Sequence, residues 1–202
     1  MMKKINIFVG GSTDKNISQS YYSNAIELGK KINERKDYTI TFDGCLGLPY
    51  LVFNELDFSS RAIIFKTRYY NNEYINDSSA IIHDFRYQSE FISEISEVAD
   101  AMIFMKGGPS TVAEIMYLID SKKNKEHDKP VVILNINDEW KELVHLLNSF
   151  EMENVYYITD NITDALNYVE QQLFDTSSSF YRYVQYMERT GPIIENEKTY
   201  VR

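Results

Sequence analysis

One stretch of this sequence combines residue types and spacing that can do chemistry. In residues 101–114, AMIFMKGGPSTVAE, an apolar run ends at Gly107 and Gly108, and a helix is expected to start at Ser110-Thr111. The start of such a helix directs backbone N–H groups and the positive end of the helix dipole at one spot. Such a spot binds anions, and phosphate groups in particular. Gly107, Gly108, Ser110 and Thr111 are therefore candidate phosphate-binding residues.

Glu114 follows Thr111 by about one helical turn, so a carboxylate is expected beside this phosphate site. Two interpretations stay open. In the first, Thr111 and Glu114 form a capping box that only stabilises the helix start. In the second, Glu114 is a catalytic carboxylate. The glycine pair favours the second, because a cap needs no double glycine whereas close approach of the backbone to a phosphate does.

Two more glycine turns follow predicted strands. Gly10, Gly11 and Ser12 come after the first strand, and Gly44 begins the turn GCLG after the second. Each is compatible with plain turn geometry. However, ligands of parallel α/β sheets bind outside the carboxyl ends of the strands, where these turns lie. We therefore take all four residues as candidate nucleotide-binding residues that enclose one crevice with the turn at 107–108.

Other reactive side chains give weaker evidence for a functional site. Arg86 follows the fourth apolar run, where a guanidinium can bind a phosphate or hold a reacting carboxylate, and the alternative is a surface arginine on a polar loop. His127 and His145 are isolated, so we predict neither a metal site nor a cofactor. Cys45 is interpreted as a small buried residue, because the sequence places no basic partner near it.

The elements that must position these residues alternate along the chain. Seven β-rich apolar runs predict strands at residues 5–9, 38–42, 62–65, 80–83, 101–105, 131–135 and 155–159. Apolar residues at helical spacing predict helices at 20–34, 91–98, 112–119, 138–147 and 162–173. Strands without polar alternation are usually covered on both faces, as in parallel sheets. The predicted fold is a Rossmann-like, doubly wound α/β sheet in three layers, helix, sheet and helix.

The length of 202 residues predicts one domain, over residues 1–174. Residues 175–202 are rich in serine, tyrosine and charge, and are treated as a C-terminal appendage. The basic start is followed by an apolar run of about five residues, shorter than the roughly 7–15 of a secretory signal core. We interpret that run as the first strand.

Charge and cysteine content restrict the partners. A formal net charge of -9 argues against a nucleic-acid polymer or an anionic membrane as partner, since both need a basic face. A small phosphorylated ligand needs only a few local donors and stays possible. Cys45 is the only cysteine, which predicts a reducing compartment. No stretch approaches the roughly 18–20 apolar residues of a membrane span, so we expect a cytoplasmic protein.

Five segments together resemble the LOG family, once named for lysine decarboxylases: INIFVGGS, FDGCLGL, HDFR, ADAMIFMKGGPSTVAEI and KPVVILNINDEWKEL. The resemblance runs from about Ile5 to Leu173. It implies a Rossmann-like homodimer that cleaves the N-glycosidic bond of nucleoside 5′-monophosphates and releases ribose 5-phosphate. The family is best known for releasing cytokinin bases.

The family hallmark PGGxGTxxE falls on residues 106–114, KGGPSTVAE. The resemblance assigns the glycine pair to Gly107 and Gly108, the threonine to Thr111 and the catalytic glutamate to Glu114. Two positions depart from the hallmark. Lys106 replaces the proline and Ser110 the third glycine.

The family arginine precedes the hallmark strand, and Arg86 in Asp84-Phe85-Arg86 is the closest match. It stands roughly five residues further from the hallmark than expected, about one and a half helical turns. Either the preceding loop is longer and Arg86 still reaches the site, or another residue such as Phe91 fills the family position.

The leading hypothesis is hydrolysis of a nucleoside 5′-monophosphate to a base and ribose 5-phosphate. Glu114 would stabilise the oxocarbenium-like state and activate water, and Arg86 would orient Glu114, or bind the phosphate and help the departing base. Two alternatives are a non-catalytic nucleotide sensor and an enzyme that transfers deoxyribose between bases. Lysine decarboxylation is disfavoured, because no pyridoxal-phosphate lysine motif is evident.

Overall fold

The structure is a computed structural model that describes residues 4–14, 17–57, 61–67 and 80–174. These ranges form a parallel sheet of seven strands: β1 (Ile5–Gly10), β2 (Tyr38–Phe42), β3 (Ala62–Thr67), β4 (Ile81–Phe85), β5 (Ala101–Phe104), β6 (Val131–Leu134) and β7 (Tyr157–Thr159). Each of the seven predicted strands is present, with ends within two residues of the prediction. The predicted appendage, residues 175–202, lies outside the described residues.

The described ranges also contain six helices: α1 (Gln19–Glu34), α2 (Leu48–Asn54), α3 (Gln88–Val98), α4 (Pro109–Lys123), α5 (Lys141–Ser149) and α6 (Ile162–Phe174), the last of which follows β7. The apolar spacing predicts all of them except α2. The helix expected from residue 138 is interrupted, because Asn137 and Asp138 have positive φ angles of 54° and 59°. A short 3₁₀ turn, Ile136–Asp138, stands there, and α5 begins only at Lys141.

The strand order is β4-β3-β2-β1-β5-β6-β7, and every neighbouring pair is parallel. The chain starts in the middle of the sheet, winds outward to β4, returns to β5 beside β1, and winds outward to β7. This order confirms the doubly wound, Rossmann-like fold. It also creates a switch point between β1 and β5, where the connections leave in opposite directions and a crevice opens.

Alternate side chains of the strands pack into two cores. Along β1, Ile7 and Val9 belong to the core beneath α1, α2 and α6, whereas Phe8 belongs to the core beneath α3, α4 and α5. This follows from the two-residue repeat of a strand, in which successive side chains point to opposite faces. Because both faces of the central strands are covered, these strands are mostly apolar, which explains why their pattern in the sequence shows little polar alternation.

Among the described residues, no helix has both the length and the apolar character needed to cross a membrane.

Candidate functional site

A cavity of about 280 Å³ lies at the carboxyl ends of the central strands, at the switch point. Its described lining comes from the ends of β1 and β3, the loop after β1 (residues 10–14), the loop after β2 (Asp43 and Cys45), and the first turns of α3 and α4. It therefore brings Glu114 together with six predicted binding residues: Gly10, Gly11, Ser12, Gly108, Ser110 and Thr111.

Backbone hydrogen bonds hold the glycine turns side by side. The N–H of Ser12 donates to the carbonyl of Lys106 at 2.8 Å, and the N–H of Met105 donates to the carbonyl of Gly10 at 2.9 Å. The N–H of Leu48, after the second turn, donates to the carbonyl of Ser12 at 2.9 Å. Residues far apart in the sequence thus form one fixed rim around the cavity.

Helix α4 begins earlier than the sequence suggests. Pro109 is its first residue and Gly108 its N-cap, with the Val112 N–H bonded to the Gly108 carbonyl at 3.0 Å. Proline fits the first helical position, because the N–H it lacks has no partner within the helix. Thr111 therefore lies inside the helix rather than at its cap, and the capping-box interpretation of Thr111 and Glu114 is wrong. Glu114 is instead a buried residue, 7% exposed, in the wall of the cavity.

The two glycines of the hallmark do different things. A Cβ atom on Gly107 would overlap the side chain of Thr111, so Gly107 is needed for packing and does not line the cavity. A Cβ atom on Gly108 would have no neighbour within 4 Å. The space beside Gly108 is therefore open to a ligand at the start of α4.

Asp43 is a second carboxyl group in this cavity, and the sequence analysis missed it. Burial raises the pKa of Asp43 to about 6. Burial and, after it, the charge of Asp43 raise the pKa of Glu114 well above its ordinary value. Two carboxyl groups that repel each other in one cavity hold a proton at higher pH than isolated ones do. The one signal in the sequence was an acidic residue directly before the second glycine turn.

The turn after β2 fixes Asp43. Gly44 has a φ angle of 71°, in the left-handed region that favours glycine, and is not part of the described lining. The turn lets the Cys45 N–H donate to Oδ1 of Asp43 at 3.0 Å. Burial, with smaller contributions from Asp43 and Glu114, raises the pKa of the Cys45 thiol to about 12. Cys45 is thus a buried, protonated thiol, as the sequence suggested.

Three aromatic rings line the apolar part of the cavity, and the sequence analysis did not predict that they form a cluster there. The ring of Phe91, at the first turn of α3, stands edge-on to those of Phe8 and Phe65, with centroids 6.1 Å and 5.7 Å away. Such a cluster offers a flat apolar group, such as a nucleobase, a rigid surface to pack against.

Arg86 does not join the described lining of the cavity. Arg86 follows β4 and is exposed. Its guanidinium lies 5.1 Å from the centre of the Tyr87 ring, and its backbone N–H donates to Oε2 of Glu90 at 2.9 Å. Phe91 stands in the cavity wall instead.

Lys106, which replaces the family proline, is also outside the described lining. Its Nζ lies 4.4 Å from the centre of the Trp140 ring and donates to the Glu139 carbonyl at 2.5 Å. The charge of Lys106 therefore serves to hold the hallmark loop to the segment before α5.

The described lining contains three carboxyl groups, those of Asp14, Asp43 and Glu114, and no basic side chain. Nor do the described residues include a group of three or more His, Cys, Asp or Glu side chains placed to hold a metal ion.

A second cavity, of about 420 Å³, lies near the amino ends of the strands and is lined in part by Arg61. The Arg61 guanidinium donates to the carbonyls of Ile32, Arg35 and Tyr38, at 3.1, 2.7 and 2.8 Å. These acceptors lie at and just after the end of α1, so Arg61 stabilises that helix end. This cavity lacks the glycine turns and the paired carboxyl groups of the first.

Comparison with known sequences identifies a family. The family model described as possible lysine decarboxylase matches residues 59–174. Cytokinin riboside 5′-monophosphate phosphoribohydrolase LOG7 of Arabidopsis thaliana is 29% identical over 152 residues, which cover 72% of this chain and 67% of the relative. A rice relative, from Oryza sativa subsp. japonica, is named as a probable enzyme of the same activity. It is 26% identical over 152 residues, and the match spans 58% of its own length.

Solved structures agree with the fold. The molybdenum cofactor binding protein of Rippkaea orientalis superposes with a TM-score of 0.65 and 18% identity, covering 85% of this chain and 98% of that one. At that identity the similarity establishes the architecture alone.

Proposed function

Because the chain belongs to the family described as possible lysine decarboxylase, we propose that it hydrolyses a nucleoside 5′-monophosphate to a free base and ribose 5-phosphate. The named activity of the Arabidopsis relative is of this class, although the family description refers to another reaction. The observation that carries the proposal is the burial of Glu114 in a cavity whose rim is formed by the start of α4 and the glycine turn after β1.

The proposed pose puts the 5′-phosphate at the start of α4. Amide groups of the first helical turn have no carbonyl acceptor within the helix, and the hydroxyl groups of Ser110 and Thr111 stand beside them. The open space at Gly108 lets a phosphate approach the backbone. Gly10, Gly11 and Ser12 then close on the sugar, and the base packs against the aromatic rings of the cavity.

Glu114 supplies the chemistry in this proposal. The bond from C1′ to the base nitrogen breaks through an oxocarbenium-like state, in which positive charge develops on the sugar. A carboxyl group fixed beside the sugar can assist this cleavage, either by stabilising the charge as a carboxylate or by giving a proton to the departing base. Glu114 is held by the helix rather than by a loop, so it needs little reorganisation during the reaction.

The test uses a panel of nucleoside 5′-monophosphates, including AMP, GMP, CMP, UMP and isopentenyl-AMP, together with the matching nucleosides. Free base is followed by chromatography for the wild type, for Glu114→Gln, and for the control Asp120→Asn, which changes an exposed carboxylate on the same helix. We expect the wild type and the control to release free base from nucleotides, and to release it more slowly from nucleosides. The rate of base release should fall by about 10²-fold or more in Glu114→Gln. Equal rates in Glu114→Gln would contradict the proposal.

A second candidate function is retention of a nucleotide without cleavage. The observation that favours it is Phe91 in the cavity wall, with Arg86 outside the described lining. In that case nucleotides raise the melting temperature by mass action while no free base appears. The same panel, followed by thermal denaturation, separates the two functions.

A further inference from the structure

We propose that Asp43 is a second catalytic group of this site, accepting a proton from the attacking water while Glu114 gives a proton to the departing base. This assignment rests on the function proposed above and divides the acid and base roles between two carboxyl groups of the cavity.

Both carboxyl groups reach the cavity from rigid supports. Asp43 comes from the loop after β2, where the positive φ of Gly44 and the hydrogen bond from the Cys45 N–H fix its position. Glu114 comes from the second turn of α4, on the other side of β1 in the sheet order. The fold thus brings together two groups that are far apart in the sequence, and it does so at the switch point.

The two groups differ in environment. Glu114 is 7% exposed, whereas Asp43 is half-buried and accepts a backbone hydrogen bond. The pKa of Asp43 is raised to about 6, so Asp43 is mostly ionised at neutral pH. Burial and, after it, the Asp43 charge raise the pKa of Glu114 well above its ordinary value, which favours the protonated form of Glu114. Opposite protonation states in one site are the pattern of an acid and a base.

Two other titratable side chains line the described cavity. Asp14 lies on the rim after β1, and Cys45 stays a neutral thiol. The described lining supplies no histidine, lysine, arginine or tyrosine from any element packed against the cavity. Within the described part of the site, protonation of the departing base therefore falls to a carboxyl group.

In the proposed step one bond to C1′ breaks and another forms. The bond between C1′ and the base nitrogen breaks, its electron pair goes to the base, and the Glu114 carboxyl group transfers its proton to the base. The water oxygen bonds to C1′, and the proton that the water loses goes to the Asp43 carboxylate. The products are the neutral base and ribose 5-phosphate. Return of the proton from Asp43 to Glu114 restores the starting pair.

A matched pair of substrates tests the division of roles. Guanine needs a proton to leave GMP, whereas 7-methylguanosine 5′-monophosphate carries a cationic base that leaves as a neutral molecule without one. We expect Glu114→Gln to lose about 10²-fold or more in kcat on GMP and to regain most of that loss on the methylated nucleotide. Asp43→Asn is expected to lose a similar factor on both, and to lose the fall in kcat that the wild type has below about pH 6.

The outcomes separate this assignment from the proposed function. If Asp43→Asn matches the wild type on both nucleotides and keeps the fall in kcat below about pH 6, Asp43 has no catalytic part, while release by the wild type still supports hydrolysis. If the wild type releases base from no nucleotide of the panel and from neither guanine nucleotide, the hydrolase function and this assignment fall together. Circular dichroism and the melting temperature verify that each variant folds, and Asp120→Asn serves as the control.

Discussion

Two carboxyl groups in one cavity destabilise the folded protein at neutral pH. This destabilisation comes from individual side chains rather than from a larger element of the fold. An aspartate in an unfolded chain titrates near pH 4. Asp43 titrates at about 6 in the folded state, so between these values the folded protein holds more protons than the unfolded chain. Stability therefore falls as the pH rises from about 4 through 6. The raised pKa of Glu114 acts in the same direction.

This linkage predicts a stabilising substitution. At pH 8, Asp43→Asn should raise the free energy of unfolding by about 1–2 kcal/mol, or roughly 2–8 °C in Tm, because an amide carries no charge to bury. Near pH 4, where the carboxyl group is protonated in the folded protein, the effect should vanish. Thermal denaturation at the two pH values measures both. An equal shift at pH 4 would point to packing rather than charge, and Asp120→Asn should be neutral at both.

The Cys45 thiol provides an independent probe of the same cavity. With its pKa raised to about 12, Cys45 has little thiolate at pH 8 and should resist iodoacetamide while the protein is folded. In guanidinium chloride the unfolded chain should take up one adduct, since Cys45 is the only cysteine. Intact mass spectrometry reads both states. Alkylation of the folded protein at the unfolded rate would contradict the described environment.

The sequence predicted single residues well where they share a motif and poorly where they meet only in space. Glu114 and the hallmark turn were found because they lie within one strand-to-helix segment. Asp43 was missed because nothing in its own loop indicates that the fold brings it to the cavity of Glu114. Arg86 was chosen as the closest match to the family arginine, although its distance from the hallmark departs from the family's, whereas the first turn of α3 presents Phe91 to the cavity.

At the level of secondary-structure elements, the two neighbouring glycines at the start of α4 should respond differently to substitution by alanine. Gly107→Ala should lower stability by about 1–3 kcal/mol, because its methyl group would overlap Thr111. Gly108→Ala should leave stability nearly unchanged, since its Cβ meets open space at a φ of -90°, yet it should weaken nucleotide binding. Thermal denaturation and KM, or the nucleotide Kd, measure the two effects. Unchanged nucleotide affinity in Gly108→Ala would argue against a ligand at this turn.

Strands were easier to predict than helix ends. The central strands are apolar runs covered on both faces, so their pattern is local and strong. Helix α2 has only seven residues and starts with Leu48-Pro49, too short for a helical repeat to be recognised. The start of α4 was placed one residue late, although the proline at 109 is typical of a first helical position.

For the whole molecule, the resemblance to the LOG family predicts a homodimer. The described surface contains apolar side chains that a partner would cover, including Ile81 and Ile82 on β4, at the edge of the described sheet. Sedimentation equilibrium should therefore give twice the chain mass of 23.7 kDa at micromolar concentration. A single-chain mass at every concentration would contradict the prediction.

The central claim is that this fold, with Glu114 at its switch point, cleaves an N-glycosidic bond. The most direct measurement is the yield of both products, free base and ribose 5-phosphate, from the best nucleotide of the panel, for the wild type and Glu114→Gln. We predict equal amounts of base and ribose 5-phosphate from the wild type, in proportion to protein added, and almost none from the variant. Absence of both products with the wild type, or equal yields from the variant, would contradict the claim.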